Sequence, residues 1–287
     1  MAISYDEARR LAQEKAAQAD TGSPFRYLLT RMVPAAIARL CPPRADVLDV
    51  GCGSGRYALF FIEAGVTGSY TGIDISDARW QASLELPAEF PGRRLVQDAH
   101  EADRLGREFD FVLSLTAFEH FADDRRAARA LARTLKPGAA ALIAVPAVWS
   151  FPLYGPHGYR RYTERSLRAL AAQAGLETEE LRRVGGLTGW SFHFHWFFPA
   201  WVFRNAGKTL LYAAFGFDRA RARRQAPRLA AWLDRLGEHH LRWTWGRRLH
   251  AGLLRLTAAA DRFLPLLEVG YLAVWRRSAL ASDRPTP

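Results

Sequence analysis

Residues 47–57 read VLDVGCGSGRY, an apolar run that reaches Asp49 and then breaks into Gly51, Gly53 and Gly55. A strand ending in Gly-x-Gly lets a ligand approach the backbone, and a helix starting near Tyr57 aims its first N–H groups at that ligand. The spacing excludes two phosphate cradles. A dinucleotide fingerprint sets its third glycine three residues after the second, whereas Gly55 follows Gly53 by two, and no Gly-Lys-Ser/Thr completes a Walker loop.

Outward from this turn, short apolar runs alternate with helical patterns, which predicts a parallel sheet wound with helices. The runs are VLDVG (47–51), SYTGIDIS (69–76), RRLVQDA (93–99), FDFVLSL (109–115) and AALIAVP (140–146). Helical spacing is clearest over 123–135, where Ala127, Ala130, Leu131 and Leu135 recur, with Lys136-Pro137-Gly138 as the stop. Thr163 is the predicted N-cap of the next helix and Gly175 its end. LETEELRRVG reads as a strand, EVGYLAVWRRS as the last one. Two helices precede the sheet, over 3–19 and 25–40, and Pro42-Pro43 ends the second.

Acidic residues close three successive strands: Asp49, Asp74 and Asp98. A carboxylate at the second position can accept both ribose hydroxyls of a nucleoside, and Asp98 lies where an adenine edge would then fall. The three together suit an ammonium, a ribose and an adenine, and repel a pyrophosphate.

VLDVGCGSGRY, GIDIS, QDAHE, FDFVLSLTAFEHF and LKPGAAALIAVP follow in this order and at the spacing of the class I S-adenosylmethionine-dependent methyltransferases, which this chain resembles over about 45–186 and the last strand. The resemblance implies an α/β fold: a Rossmann-like, doubly wound, mostly parallel seven-stranded sheet. It implies S-adenosyl-L-methionine as cofactor, with S-adenosyl-L-homocysteine as product. Asp49 and Gly51, Cys52, Gly53 and Gly55 would face its amino acid part, Asp74 its ribose, and Asp98 with Ala99 its adenine; Tyr57, Ile75 and Leu115 complete the expected set. For Asp49 the alternative is a carboxylate that caps the turn.

Methyl transfer requires alignment, removal of an acceptor proton and shielding from water. After strand four, Glu119 and His120 match a position that forms part of a divalent-metal site in ubiquinone-type and small-RNA methyltransferases. Those families use Glu-x-x-Glu-His; Thr116 stands at the first Glu here, so no metal is expected. His120 is then a candidate base or acceptor contact, with ordering of the loop as its alternative, and Glu119 a candidate acceptor contact. After strand five, YGPHGYRRYTERSL resembles a subgroup with a His before an Arg-Arg-Tyr element. His157 is a candidate base, Arg160 or Arg161 a holder of an anionic group, and Tyr154 and Tyr162 complete that set. The alternative is that one Arg pairs with a core carboxylate while Tyr159 and Tyr162 pack.

Residues 187–266 break the alternation with an aromatic-rich, Arg-rich and mostly helical pattern, giving a division into an N-terminal helical cap (1–44), a cofactor-binding core (45–186), this helical insertion, and a last strand with tail (267–287). LTGWSFHFHWFFPAWVF, 187–203, is uncharged and aromatic but short of a spanning helix, interrupted by His193, His195 and Pro199. His193 and His195 alternate as extended neighbours would, and with Trp190 they are candidate acceptor-site residues. Between Arg182 and Arg262 stand fifteen Arg or Lys against four acidic residues, which holds the whole chain's excess of +11. Aromatics beside Arg suit an acceptor-site lid, an anionic membrane surface or a homodimer interface, and equally an ordinary helical subdomain.

The leading function is methylation of a small hydrophobic or lipid-like acceptor, with oxygen as the base-rate choice. A nucleic-acid methyltransferase draws on the basic excess, but its Arg residues interleave with Leu, Ala and Trp at helical spacing and no RNA module is evident. A non-catalytic S-adenosylmethionine-binding scaffold is the third reading, disfavoured because a scaffold would have no need of DVGCGSG, Asp74 and Asp98 all three. No Asn/Asp-Pro-Pro-Tyr element follows strand four, which argues against the amino-group class. Cys41 and Cys52 form no disulfide framework, and the acid-bearing N-terminal segment lacks the apolar core of a signal peptide. The expected location is the cytoplasm, with the insertion as a candidate peripheral membrane element.

Overall fold

The computed structural model describes residues 4–18, 23–77, 86–154, 158–235 and 244–279. In chain order it contains α1 (Tyr5–Gln18), α2 (Pro24–Leu40), β1 (Arg44–Val50), α3 (Ala58–Glu63), β2 (Thr67–Asp74), β3 (Gly92–Val96), β4 (Phe109–Leu115), α4 (Asp124–Thr134) and β5 (Leu135–Pro146). There follow α5 (Phe151–Tyr154), α6 (Glu164–Gln173), β6 (Leu176–Val184), α7 (Leu187–Ala214), α8 (Arg219–Gln225), α9 (Pro227–Asp234), α10 (Thr244–Ala260) and β7 (Gly270–Arg277). A 3₁₀ segment at Ala99–Leu105, kinked at Glu101, follows β3, and a single 3₁₀ turn at Phe118–His120 follows β4.

The seven strands lie in the order β3-β2-β1-β4-β5-β7-β6, parallel except for β7, which is antiparallel to both neighbours. This is the doubly wound α/β sheet expected from the alternating runs. Val47 and Leu48 face opposite sides, as do Leu142 and Ile143, and every one of them is buried. Helices cover both faces, which is why the strands read as continuous apolar runs rather than as alternation. α1, α2 and α3 pack on one side, where Ala8, Phe25, Val33, Ile37 and Phe61 share a core with Val47 and Leu142. α4 and α6 cover the other with Leu131 and Leu167 against Val112 and Ile143.

Two predicted boundaries move. α4 ends at Thr134, one residue earlier than expected, and β5 opens at Leu135 rather than Ala140, so Lys136-Pro137-Gly138 follows the helix but already belongs to the strand. Thr163 does cap α6, reciprocally with Ser166, whose backbone N–H lies 3.1 Å from Thr163 Oγ1.

The larger correction concerns 187–203. It is the first part of one helix, α7, which continues through Pro199 to Ala214, so His193 and His195 are helical rather than extended. Pro199 has no N–H to give the His195 carbonyl, a loss of up to about 3 kcal/mol. Packing opposes it: within the helix Trp190 stacks on Phe194 at 5.0 Å, and across to α10 the rings of Phe192 and Trp196 meet His250 at 5.5 and 6.4 Å. α7 starts at Gly186, which has no side chain to cap it. The cap comes from Asp261, which accepts the N–H groups of Gly186 and Thr188 at 2.8 Å each, that of Gly189 at 3.2 Å, and the Thr188 hydroxyl. Among the described residues no helix is long and apolar enough to cross a membrane.

Candidate active site

The glycine turn leaves β1 with Gly51, Gly53 and Gly55 all at positive φ, 76°, 55° and 73°. That backbone is open to glycine at little cost and strained for other residues. Its N–H groups reach across to β2: Gly51 and Cys52 donate to the Ile73 carbonyl at 2.9 and 3.0 Å, and Gly53 donates to Asp74 Oδ2 at 2.9 Å. The turn is thus capped by Asp74, not by Asp49. No described atom lies within 4 Å of a Cβ built on Gly53.

Asp49 lies beneath the turn, fully buried. One oxygen accepts the Tyr70 hydroxyl at 2.7 Å, while Oδ1 has no partner among the described residues. Tyr70 is held by core rings, Phe61 at 6.4 Å and Phe90 at 6.2 Å, so the apolar core fixes a polar group of the site. Burial pushes the Asp49 carboxyl up to about 7; the Tyr70 hydrogen bond opposes this and the charge of Asp74 adds to it. A buried carboxylate held this way gains from an incoming cation.

Ile75, next along, is 74% exposed, an apolar side chain left in water beside Asp74. At the end of β3, Asp98 caps the 3₁₀ turn, accepting the His100 N–H at 2.9 Å and the His100 ring at 2.6 Å. Burial disfavours its charge, but these His100 bonds outweigh it and hold the carboxyl below its usual range. Because the Asp123 N–H donates to His100 Nε2, at 3.2 Å, the ring's proton sits on Nδ1. Ala99 and Leu115 are buried, and Tyr57 is the residue at which α3 begins. Cys52 is buried too; desolvation, then Asp49, raises its thiol well above the usual value.

These features fit S-adenosylmethionine: an unpartnered buried carboxylate oxygen for an ammonium, open space over Gly53, a carboxylate at the β2 end for a ribose, and an exposed Ile75 for an apolar ring. When bound, that cofactor supplies an electrophilic methyl on a sulfonium. Removing Asp74 takes away charge-assisted bonds of about 1.5–3 kcal/mol each. Asp74→Ala is expected to weaken S-adenosylhomocysteine binding by about 10- to 100-fold in calorimetry. An unchanged affinity would remove Asp74 from the site.

The β4 exit loop packs directly on the turn. A Cβ on Gly51 would come within 2.5 Å of Ala117 Cβ, so glycine there lets the loop approach. Thr116 opens the loop at φ 52°. Glu119, on the following 3₁₀ turn, is 4% exposed, with Oε2 unpartnered among the described residues and Oε1 4.0 Å from His120 Nε2. Desolvation pushes its carboxyl up to about 7; its own backbone N–H and the Arg161 charge act against that shift. The loop after β5 closes over Glu119: Tyr159 N–H donates to its carbonyl at 2.6 Å, and Gly158 fits where a Cβ would lie 2.6 Å from the same oxygen.

Of the residues expected from that loop, His157 lies outside the described residues, as does the Tyr154 side chain. Arg160 forms an ion pair with Asp124 and donates to the Ala122 carbonyl at 2.7 Å. Tyr162 is buried, its hydroxyl 3.2 Å from the Phe118 carbonyl and 3.1 Å from Asp124. Burial and then Asp124 raise that hydroxyl far above its usual value. The pairing alternative describes these two, whereas Tyr159 does not pack and is 71% exposed. Arg161 lies beside Glu119, donating to the Arg160 carbonyl at 2.9 Å. A cleft of about 490 Å³ lined by Asp123, Asp124, Arg160, Arg161 and Tyr162 shares no residue with the glycine turn.

Trp190 joins α7 to this end of the sheet, its indole N–H donating to the Trp149 carbonyl at 2.7 Å. His193 is buried and desolvation lowers it to about 4, so it is neutral. His195 is exposed and its Nδ1 meets the Ser191 carbonyl at 2.8 Å, on its own helix. Sequence reasoning missed His100, two residues past Asp98, and Arg94, whose Nε would lie 2.6 Å from a Cβ on Gly55. Among the described residues no group of three His, Cys, Asp or Glu side chains is placed to hold a metal.

Residues 25–181 match the family model described as a methyltransferase domain. A ubiquinone biosynthesis O-methyltransferase from Alkalilimnicola ehrlichii is 37% identical over 32% of this chain and 38% of its own length. Another from Nitrosospira multiformis is 29% identical over 47% and 64%. A 2-methyl-6-phytyl-1,4-hydroquinone methyltransferase from a Synechocystis species is 34% identical over 36% and 32%. The match thus spans less than two thirds of each of these curated relatives. Among solved structures, a cyclopropane synthase from Mycobacterium tuberculosis aligns over 86% of this chain and 83% of that one, with a TM-score of 0.50 at 15% identity, a likeness of fold. With the matched model covering more than half of its residues, the chain belongs to the class I S-adenosylmethionine-dependent methyltransferases.

Proposed function

We propose that this enzyme methylates a hydroxyl of a small, apolar or lipid-like acceptor. The observation that carries the reading is Glu119: a buried carboxyl at the β4 exit, two residues from the Ala117 contact with the glycine turn, with one oxygen unpartnered among the described residues and a carboxyl pushed up to about 7 by burial. A hydroxyl acceptor must lose its proton as it is methylated, and a base poised near ambient pH does this best. A sulfonium methyl donor needs no nucleophile from the protein, so holding, aligning and deprotonating the acceptor is the protein's share.

Apolar surroundings support a hydrophobic acceptor. Val148, Trp149 and Phe151, between β5 and the closing loop, are 44, 52 and 58% exposed, next to Trp190. Relatives named for quinone and hydroquinone methylation point to an acceptor of the same chemistry, a hydroxylated ring with an apolar tail.

The test is transfer of labelled methyl from S-adenosylmethionine to a prenylated catechol, followed by extraction into organic solvent. Label is expected on the catechol and not on the same compound with its hydroxyls already methylated. Label on the blocked compound would overturn oxygen as the target. Incorporation into RNA, with binding that falls steeply as salt rises, would overturn the acceptor class.

A further inference from the structure

The exposed face of α10 carries a regular apolar stripe. Trp245, Leu249, Gly252, Leu256, Ala259 and, in the turn after the helix, Phe263 follow one another at four- and three-residue steps, which sets them along one line of a helix. Its four large members are 63, 50, 66 and 85% exposed. The opposite face is buried through Gly246, His250, Leu254 and Asp261, on the side where α10 packs on α7 and α2. Arg248, Arg255 and Arg262, each seven residues from the next and all exposed, form a row along one flank of the stripe.

Charge decides what covers it. Thr244–Ala260 contains no carboxylate, so a second copy laid stripe against stripe brings nothing from this helix to meet the arginine row. The described acids elsewhere in the insertion have internal work: Asp218 caps α8, Asp234 pairs with Lys208 and Arg223, and Asp261 caps α7. An anionic surface supplies counter-charge to Arg248 and Arg262 at the two ends of the row, and aromatic and aliphatic side chains beside arginines are the composition of helices that lie in a lipid interface.

We propose that α10 docks this protein on an anionic lipid bilayer, with Trp245, Leu249, Leu256 and Phe263 entering the interfacial region and Arg248, Arg255 and Arg262 meeting lipid phosphates. Leu264 accepts the Leu187 N–H at 3.1 Å, one turn before Trp190 of the same helix meets the Trp149 carbonyl, so the first turn of α7 links the end of the stripe to the apolar segment after β5. Docking by α10 goes beyond the acceptor proposal and stands independently of it, because lipid binding is read without turnover.

Flotation with phosphatidylcholine vesicles, with and without phosphatidylglycerol, tests this. The full-length protein is expected to float with the anionic vesicles only. R248Q/R255Q/R262Q should lower partitioning by about 100-fold, since each arginine near an anionic surface contributes roughly a fivefold factor. L256D/F263D should abolish it, with the far-ultraviolet circular dichroism and S-adenosylhomocysteine affinity of both variants unchanged. Absence of flotation by the wild type, flotation of L256D/F263D equal to wild type, or a concentration-dependent dimer in light scattering that this variant disperses, would each overturn the assignment.

Discussion

Glu119→Gln is expected to bind S-adenosylhomocysteine with unchanged affinity while kcat falls by about 10²- to 10⁴-fold, the usual worth of a positioned general base. Glutamine keeps the shape and can still accept hydrogen bonds, but it cannot take a proton. The pH profile separates this from a structural defect. With its carboxyl held near 7, Glu119 is protonated and idle below that pH, so the wild-type rate should rise through neutrality and level off above it; the variant should be low and flat. Stability runs the other way. A carboxyl raised in the folded state above its unfolded value binds more protons when folded, so its contribution falls as pH rises from the ordinary Glu value toward 7. Above neutrality the variant should therefore melt no lower than wild type. A kcat within tenfold of wild type, with the pH profile intact, would take Glu119 out of the chemistry.

Asp261→Ala is expected to produce the largest loss of stability. The carboxylate is 8% exposed and serves three backbone N–H groups and one hydroxyl at the start of α7. Alanine leaves those donors buried, each costing about 1–3 kcal/mol, so the sum comes to roughly 4 kcal/mol after partial rehydration. For a chain of this size that is about 10 °C in Tm by circular dichroism. Asp261→Asn, which keeps one acceptor, should lose less. A shift under about 2 °C for the alanine variant would mean that α7 finds another cap.

The cofactor half was legible because its signals are local. Strand ends carry the acids, and a turn needing positive φ shows its glycines in sequence, so Asp49, Gly51, Gly53 and Asp74 come together as their spacing implies. What was hidden is non-local. Nothing near Gly186 announces that its cap lies at Asp261, although a lone acid in an Arg-rich stretch was the available clue. His193 and His195 read as extended neighbours inside a mostly helical insertion, because the contacts of Phe192 and Trp196 with His250 that help sustain α7 depend on α10, which only the fold brings. Arg160 and Tyr162 looked like acceptor contacts until Asp124, far back in the chain, took them both. The raised Glu119 follows from burial under a loop that arrives only after β5.

β6 and β7 pair, with one bulge between Thr178 and Glu180, up to Val184 and Gly270, and the Val269 N–H closes on the Val184 carbonyl at 2.9 Å. Everything between is, topologically, the tip of one hairpin. Loop closure costs only a logarithm of length, so the sheet is nearly indifferent to how many residues that tip holds. Natural variation can therefore lengthen, shorten or exchange the tip while the cofactor end of the sheet stays as it is. One donor-binding scaffold can in this way be readdressed to new acceptors and new surroundings by edits confined to a single site of insertion.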